Sequence, residues 1–226
     1  MIGVIAVFVC LSVFNVPNLR AEQDVFPLSP GTYWLYEGMV KWQNESGVKE
    51  QQMTWKMEVI EQVERDEFIG YLMKGHPSDL AFYEEGRVPS EYAIIRHGND
   101  FYQTDLNTFQ RLKDPADELN DLLFPEDQIL KFPLTPGDTF GEPEMLKRGD
   151  GFYYWVVQEK RPFLAKITGV VSIASLEEYI ITLNTLPDGI IVHFTPGIGI
   201  TCYEYTHHGT ISEVDVSLIE YHAGTH

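Results

Sequence analysis

One nine-residue pattern occurs twice in this chain. Phe26-Pro27-Leu28-Ser29-Pro30-Gly31-Thr32-Tyr33-Trp34 and Phe132-Pro133-Leu134-Thr135-Pro136-Gly137-Asp138-Thr139-Phe140 share F-P-L-[ST]-P-G-x-x-aromatic, and strand-like sequence follows each. Proline holds φ near about −65° and pushes the residue before it into extended backbone. Pro-Gly suits the centre of a turn, with glycine supplying the positive φ at the third position. The flanking aromatic side chains can then fold beneath the turn and join a core. The pattern therefore reads as a fixed corner that opens a run of strands. Its recurrence divides the chain after residue 21 into two similar halves, 24–131 and 132–226. A proline-rich recognition peptide is the competing reading, but it would leave Phe, Leu and Trp in water.

Ahead of the first corner, Ile2 to Val16 carries no charge and is almost wholly apolar. It is too short for a comfortable membrane span and reads as the apolar core of a cleavable secretory signal, residues 1–21, cut after Ala21. An uncleaved anchor is the alternative. Cys10 lacks the small preceding residue of a lipidation site, since Val7-Phe8-Val9 comes before it, so a lipoprotein is not expected. A secreted or periplasmic location follows. Cleavage leaves Cys202 as the one cysteine, so no internal disulfide forms and the fold rests on its core.

The 226 residues are 44% hydrophobic and 13% aromatic, enough for one β-rich domain with a substantial core. The net charge of −18 argues against nucleic acid and against docking on anionic membranes.

Along the chain, Thr32 to Trp42 reads as a strand, and Gln52 to Val63 alternates with Met53, Trp55, Met57 and Val59 on one face. Phe68 to Met73 returns from the polar turn at 64–67, and Asp79 to Tyr83 continues the meander. Strands at 94–96 and 101–103 flank Gly98-Asn99-Asp100. A helix is expected from Asp114, with Asp114 as N-cap, Pro115 in the first turn, Leu119, Leu122 and Leu123 as its stripe, and Pro125 as its stop. In the second half, strands are expected at 152–157, 164–174, 178–183, 190–195, 200–206 and 211–221, with Pro187-Asp188-Gly189 as a hairpin turn. The expected fold is mainly β, a single curved antiparallel sheet (half-barrel or open barrel) of about ten strands with one or two short helices.

The anchors F-P-L-x-P-G-x-x-W, F-P-L-x-P-G-D-x-F and Phe194-Thr195-Pro196-Gly197-Ile198-Gly199-Ile200, followed by Tyr203-Glu204-Tyr205, resemble those of a group of uncharacterised secreted bacterial β-rich proteins. That group is similar in fold to the periplasmic lipoprotein-carrier half-barrels, in which a curved sheet can hold an acyl chain. The resemblance implies a carrier-like fold and transfers no functional residue.

No catalytic residue is assigned, because G-x-S-x-G, P-loop, H-E-x-x-H, C-x-x-C and calcium-loop motifs are all missing. No metal and no cofactor are expected. His193, His207, His208, His222 and His226 read as solvated turn residues, and Asp114, Asp117, Glu118 and Asp121 as a solvated helix face. Cys202 reads as a buried small hydrophobe. Aromatic and methionine residues offer the candidate ligand-binding set Trp34, Tyr36, Met53, Trp55, Met57 and Tyr154, with core packing as the competing role. Three functions remain open. The first is a non-enzymatic exported protein holding a hydrophobic small molecule, a lipid or a cell-envelope protein in the sheet's concavity. The second is a structural or interaction module of the envelope without a cavity. The third is a hydrolase whose carboxylate pair the sequence does not place. Oligomeric state is not indicated.

Overall fold

The computed structural model describes residues 25–170 and 176–224; the expected leader and Cys10 lie outside the described residues. Twelve strands form one sheet among them: β1 (Tyr33–Asn44), β2 (Gly47–Arg65), β3 (Phe68–Lys74), β4 (Glu91–His97), β5 (Asp100–Thr104), β6 (Gln128–Lys131), β7 (Thr139–Phe140), β8 (Trp155–Pro162), β9 (Glu177–Asn184), β10 (Asp188–Thr195), β11 (Gly199–His207) and β12 (Ser212–His222). The sheet order is β6-β5-β4-β3-β2-β1-β12-β11-β10-β9-β8-β7, every ladder antiparallel. Each half is a plain meander, and β1 beside β12 joins them. The sheet curls until its edge strands approach, where Gly141 N donates to the Gln128 side chain at 3.2 Å. The result is a nearly closed barrel with one seam between β6 and β7.

The alternation of β1 and β2 places Trp34, Tyr36, Val40 and Trp42, with Trp55, Met57 and Val59, in the interior. Val214, Val216 and Leu218 of β12 join them. The two corners are bonded alike. In the first, Thr32 N donates to Ser29 O (3.0 Å), Gly31 N to Val59 O (2.9 Å) and Val59 N to Thr32 O (2.9 Å). In the second, Asp138 N donates to Thr135 O (2.9 Å), Gly137 N to Val157 O (2.8 Å) and Val157 N to Asp138 O (2.9 Å). A bulge follows each valine, between Val59 and Glu61 and between Val157 and Glu159. Thr195-Pro196-Gly197-Ile198 repeats the turn a third time, with Ile198 N to Thr195 O at 2.9 Å. Gly31, Gly137 and Gly197 have φ of 85°, 95° and 84°, the type II geometry that only glycine takes easily.

The helix lies earlier than the leucine stripe suggests. α1 spans Leu106–Lys113, capped by Asp105, whose side chain accepts from Thr108 N at 3.0 Å, and it ends at Asp114. Asp114 and Asp117 instead accept from Ala116 N (2.9 Å) and Leu119 N (2.8 Å), closing local turns that compete with a helix. Arg111 clamps Asp117 through Nε (2.9 Å) and a terminal nitrogen (3.2 Å), which holds the loop against α1. Phe109 and Leu112 of α1 cover Ala93 and Ile95 on the outer face of β4, with Leu122, in a second, smaller core. α2 (Pro143–Leu146) is one turn near the seam.

Asp79 to Tyr83 is not a strand. Pro77–Leu80 forms a 3-10 turn, because Pro77 favours the first helical position and cannot donate to a ladder. Phe152 to Tyr154 also stays outside β8: Asp150 accepts from Phe152 N at 3.1 Å and Tyr153 takes a φ of 68°. Of the strand expected at 164–174, the described part makes a single bridge, Thr168 with Glu220, and 171–175 lie outside the described residues.

Candidate functional site

A cavity of about 270 Å³ lies at the seam, where β6 faces β8 to β11. Ile129 and Leu130 of β6 line one side. Trp155, Ile181, Leu183, Ile190, Val192, Ile200 and Tyr203 line the other, with Phe26 and Phe194 beside them. Ile181 and Leu183 on β9, and Ile190, Val192 and Phe194 on β10, alternate inward, whereas Ile129 and Leu130 are chain neighbours on β6, whose ladder with β5 is irregular. The β6–β7 seam brings the two sets together. The volume sits at the lower edge of the roughly 300–1,000 Å³ typical of small-molecule sites. Polar groups also line it: His76, Ser78, Gln103, Glu126 and Asp127.

His76 is positioned by the end of β3. Gly75 follows Lys74 with a φ of 79°, and a Cβ there would lie 2.2 Å from Lys56 O, so the chain can turn only through glycine. Trp55 Nε1 donates to Gly75 O at 3.0 Å and secures the turn. His76 Nδ1 accepts from Ser78 N at 3.1 Å, which places the neutral ring's proton on Nε2. Ser78 Oγ lies 2.7 Å from the same nitrogen. The ring stands edge-on to Tyr92 and Tyr203, with centroids 5.5 Å from each. Burial lowers its pKa to about 4, so it is neutral at pH 7. The Tyr92 hydroxyl beside it is buried without a hydrogen-bond partner. Asp127, on the 3-10 turn Pro125–Asp127, has its pKa raised by burial, then by Glu126 and Asp105.

None of the six residues expected to bind a ligand lines this cavity. Trp34 and Tyr36 are fully buried and donate to Ile198 O (2.5 Å) and Ile200 O (3.0 Å), tying β1 to the third corner and β11. Trp55 and Met57 are interior core, with Met53 half-buried against it. Tyr154 lines a separate pocket of about 230 Å³ that shares Glu126, Trp155 and Leu183 with the cavity. The site residues His76, Tyr203 and Trp155 carry no local motif. The usable signal is the inward alternation 181/183 and 190/192/194, which shows a face but not the seam opposite it.

A second constellation occupies the outer face of β8 to β11. Glu178 Oε1 accepts from Thr201 Oγ1 at 2.9 Å, and Oε2 from Arg161 Nε at 2.9 Å and its terminal nitrogen at 2.8 Å. His193 Nδ1 lies 3.5 Å from the same Oε2 and 3.3 Å from Arg161. Burial opposes ionisation of Glu178, but hydrogen bonds from His193, Arg161 and Thr201 prevail and hold its pKa at about 2. Cys202 sits directly across from His193 in the β10–β11 ladder, and burial pushes its thiol up to about 11. A cleft of about 450 Å³ opens beside this cluster.

The histidines are therefore not uniformly solvated. His193 is largely buried among strands, His207 Nδ1 lies 2.8 Å from Asp188 Oδ1, and His222 stacks on Tyr33 at 5.1 Å. His226 lies outside the described residues. Among the described residues, no helix is long and apolar enough to cross a membrane.

No protein-family model and no curated protein matches the chain. Two solved structures are similar at low level. A Bacteroides fragilis protein described as exported, with a YmcC-like fold, is 12% identical with a TM-score of 0.35; 88% of this chain and 98% of that one align. A Parabacteroides distasonis protein described as a lipoprotein is 10% identical with a TM-score of 0.31, over 88% and 98%. Similarity at this level does not bear on what this chain binds.

Proposed function

We propose that this chain is an exported, non-enzymatic protein that binds a short amphipathic molecule with an uncharged or cationic head. The observation that carries this reading is the seam cavity, apolar along β6 and β8 to β11 and edged by Glu126 and Asp127. The apolar wall supplies burial worth roughly 25 cal/mol per Å². The two carboxylates would repel an anionic head, as would the net charge of −18. A cationic head would offset the burial and the neighbouring carboxylates that together raise the Asp127 pKa.

A hydrolase is less well supported. The two carboxylates on the cavity are chain neighbours on one 3-10 turn, so they cannot flank a scissile bond from opposite sides.

The test is displacement of a fluorescent apolar probe from the delipidated protein. Decylamine should displace it at concentrations at least about tenfold lower than decanoate, a difference of ~1.4 kcal/mol. Ile181→Phe, which fills the cavity, should weaken probe binding. Probe binding that Ile181→Phe leaves unchanged, or preference for decanoate, would contradict the reading.

A further inference from the structure

We infer that His193, Cys202 and Glu204 form a three-ligand site for one Zn²⁺ on the outer face of the sheet. The ladder itself assembles the donors. His193 on β10 lies across from Cys202 on β11, and Glu204 follows Cys202 by two residues, so all three project from one face. Their donor atoms lie within 4.8 Å of one another. His193 Nε2 is 3.9 Å from Glu204 Oε1, and Cys202 Sγ is 4.0 Å from the same oxygen. Tetrahedral zinc with bonds of about 2.0–2.3 Å needs such pairs roughly 3.3–3.6 Å apart, so rotamer adjustments that bring the donors together by up to about 1.3 Å close the site.

The surroundings supply what a ligating histidine requires. Its second nitrogen, Nδ1, lies 3.5 Å from the Glu178 carboxylate and 3.3 Å from a terminal nitrogen of Arg161, and Arg161 and Thr201 hold that carboxylate in place. Zinc binding at Nε2 selects the tautomer with the ring proton on Nδ1, which then donates to Glu178 while Arg161 keeps its own bonds to that carboxylate. Ser217 Oγ lies 3.7 Å from Cys202 Sγ and can hydrogen-bond to a thiolate there. One nitrogen, one thiolate and one carboxylate match the borderline character of zinc and suit neither calcium nor magnesium. His193 and Cys202 also line the outer cleft, so the fourth position is open to water or to an incoming donor. On binding, the thiol proton is released as the Zn–S bond forms.

The experiment uses the full chain, reduced and stripped of metal, titrated with Zn²⁺ against a chromogenic chelator. One Zn²⁺ per chain is expected. Cys202→Ser and His193→Gln should each weaken binding by at least about tenfold, and Glu178→Gln by roughly ten- to a hundredfold through loss of the histidine's support. His208→Gln should change nothing. Co²⁺ in the unmodified chain should give a thiolate-to-metal charge-transfer band, a readout that does not depend on any variant folding. Failure to bind stoichiometrically, absence of that band, or affinity unaltered by Cys202→Ser and His193→Gln would overturn the site.

Discussion

Phe26 and Phe132, the first residues of the two repeated segments, are held by the same two rings. Phe26 lies 5.9 Å from Phe101 and 5.2 Å from Phe194, and Phe132 lies 5.7 Å and 5.6 Å from the same pair. The four rings bridge β5 and β10 across the barrel interior, beside the seam cavity that Phe26 and Phe194 line.

Replacing Phe26, which is buried, with Ala should cost about 3–5 kcal/mol. Phe132→Ala should cost less, since Phe132 is only partly buried. Because both rings share partners, the double variant should lose less than the sum of the single losses. Urea unfolding of the three variants measures this. Strict additivity would show that the corners stabilise the barrel independently.

Gly137→Val tests the corner turn. A Cβ on Gly137 meets nothing within 4 Å, so the cost is conformational rather than steric crowding. At a φ of 95°, a β-branched residue should lose about 1–3 kcal/mol. Gly137→Asn should lose less, because Asn tolerates positive φ better. A thermal scan of both variants would decide it, and equal stability of Val and Gly would refute the turn's role.

The helix cap separates two aspartates. Asp105→Ala should destabilise the protein by about 0.5–2 kcal/mol, as loss of an N-cap does. Asp114→Ala should cost less, since its side chain closes only an exposed turn with Ala116 N. Chemical denaturation of the pair gives the comparison directly.

These two aspartates also show where the sequence was legible. Alternation fixed the inner faces of β2, β10 and β12, because a half-buried strand writes its burial at period two. The Pro-Gly corners were readable because their backbone demands are met by few residues. The helix start is not legible because aspartate serves equally as an N-cap, as Asp105 does, and as the head of a local turn, as Asp114 does, and the Arg111–Asp117 pair holds the chain after α1 in turns. The aromatic-rich β1 and β2 looked like a ligand wall, yet Trp34, Tyr36 and Trp55 spend their polar atoms on backbone carbonyls. The cavity lies at the seam, whose position depends on a closure that no local pattern encodes.

Acid should weaken the fold in two stages. His76 titrates near 6.5 when unfolded and about 4 when folded, so the unfolded chain holds the extra proton between those values. Stability should be unaffected by His76 above pH 6.5 and fall as pH drops to 4, by about 3 kcal/mol in all. Glu178, lowered from 4.5 to about 2, contributes stability above pH 4.5 that is lost below it. His76→Asn keeps an acceptor for Ser78 N and should flatten the upper stage alone. Urea midpoints from pH 7 to 3 would show both, and an unchanged upper stage in His76→Asn would assign it elsewhere.

The seam cavity is tested most directly by isoleucine-methyl NMR of the delipidated protein titrated with decylamine. Ile129, Ile181, Ile190 and Ile200 line the cavity, whereas Ile95 lies in the outer core beneath α1. Saturable shifts confined to the first four methyls, with Ile95 unmoved, are the predicted result. No shift at those four, or shifts spread equally to Ile95, would contradict the account.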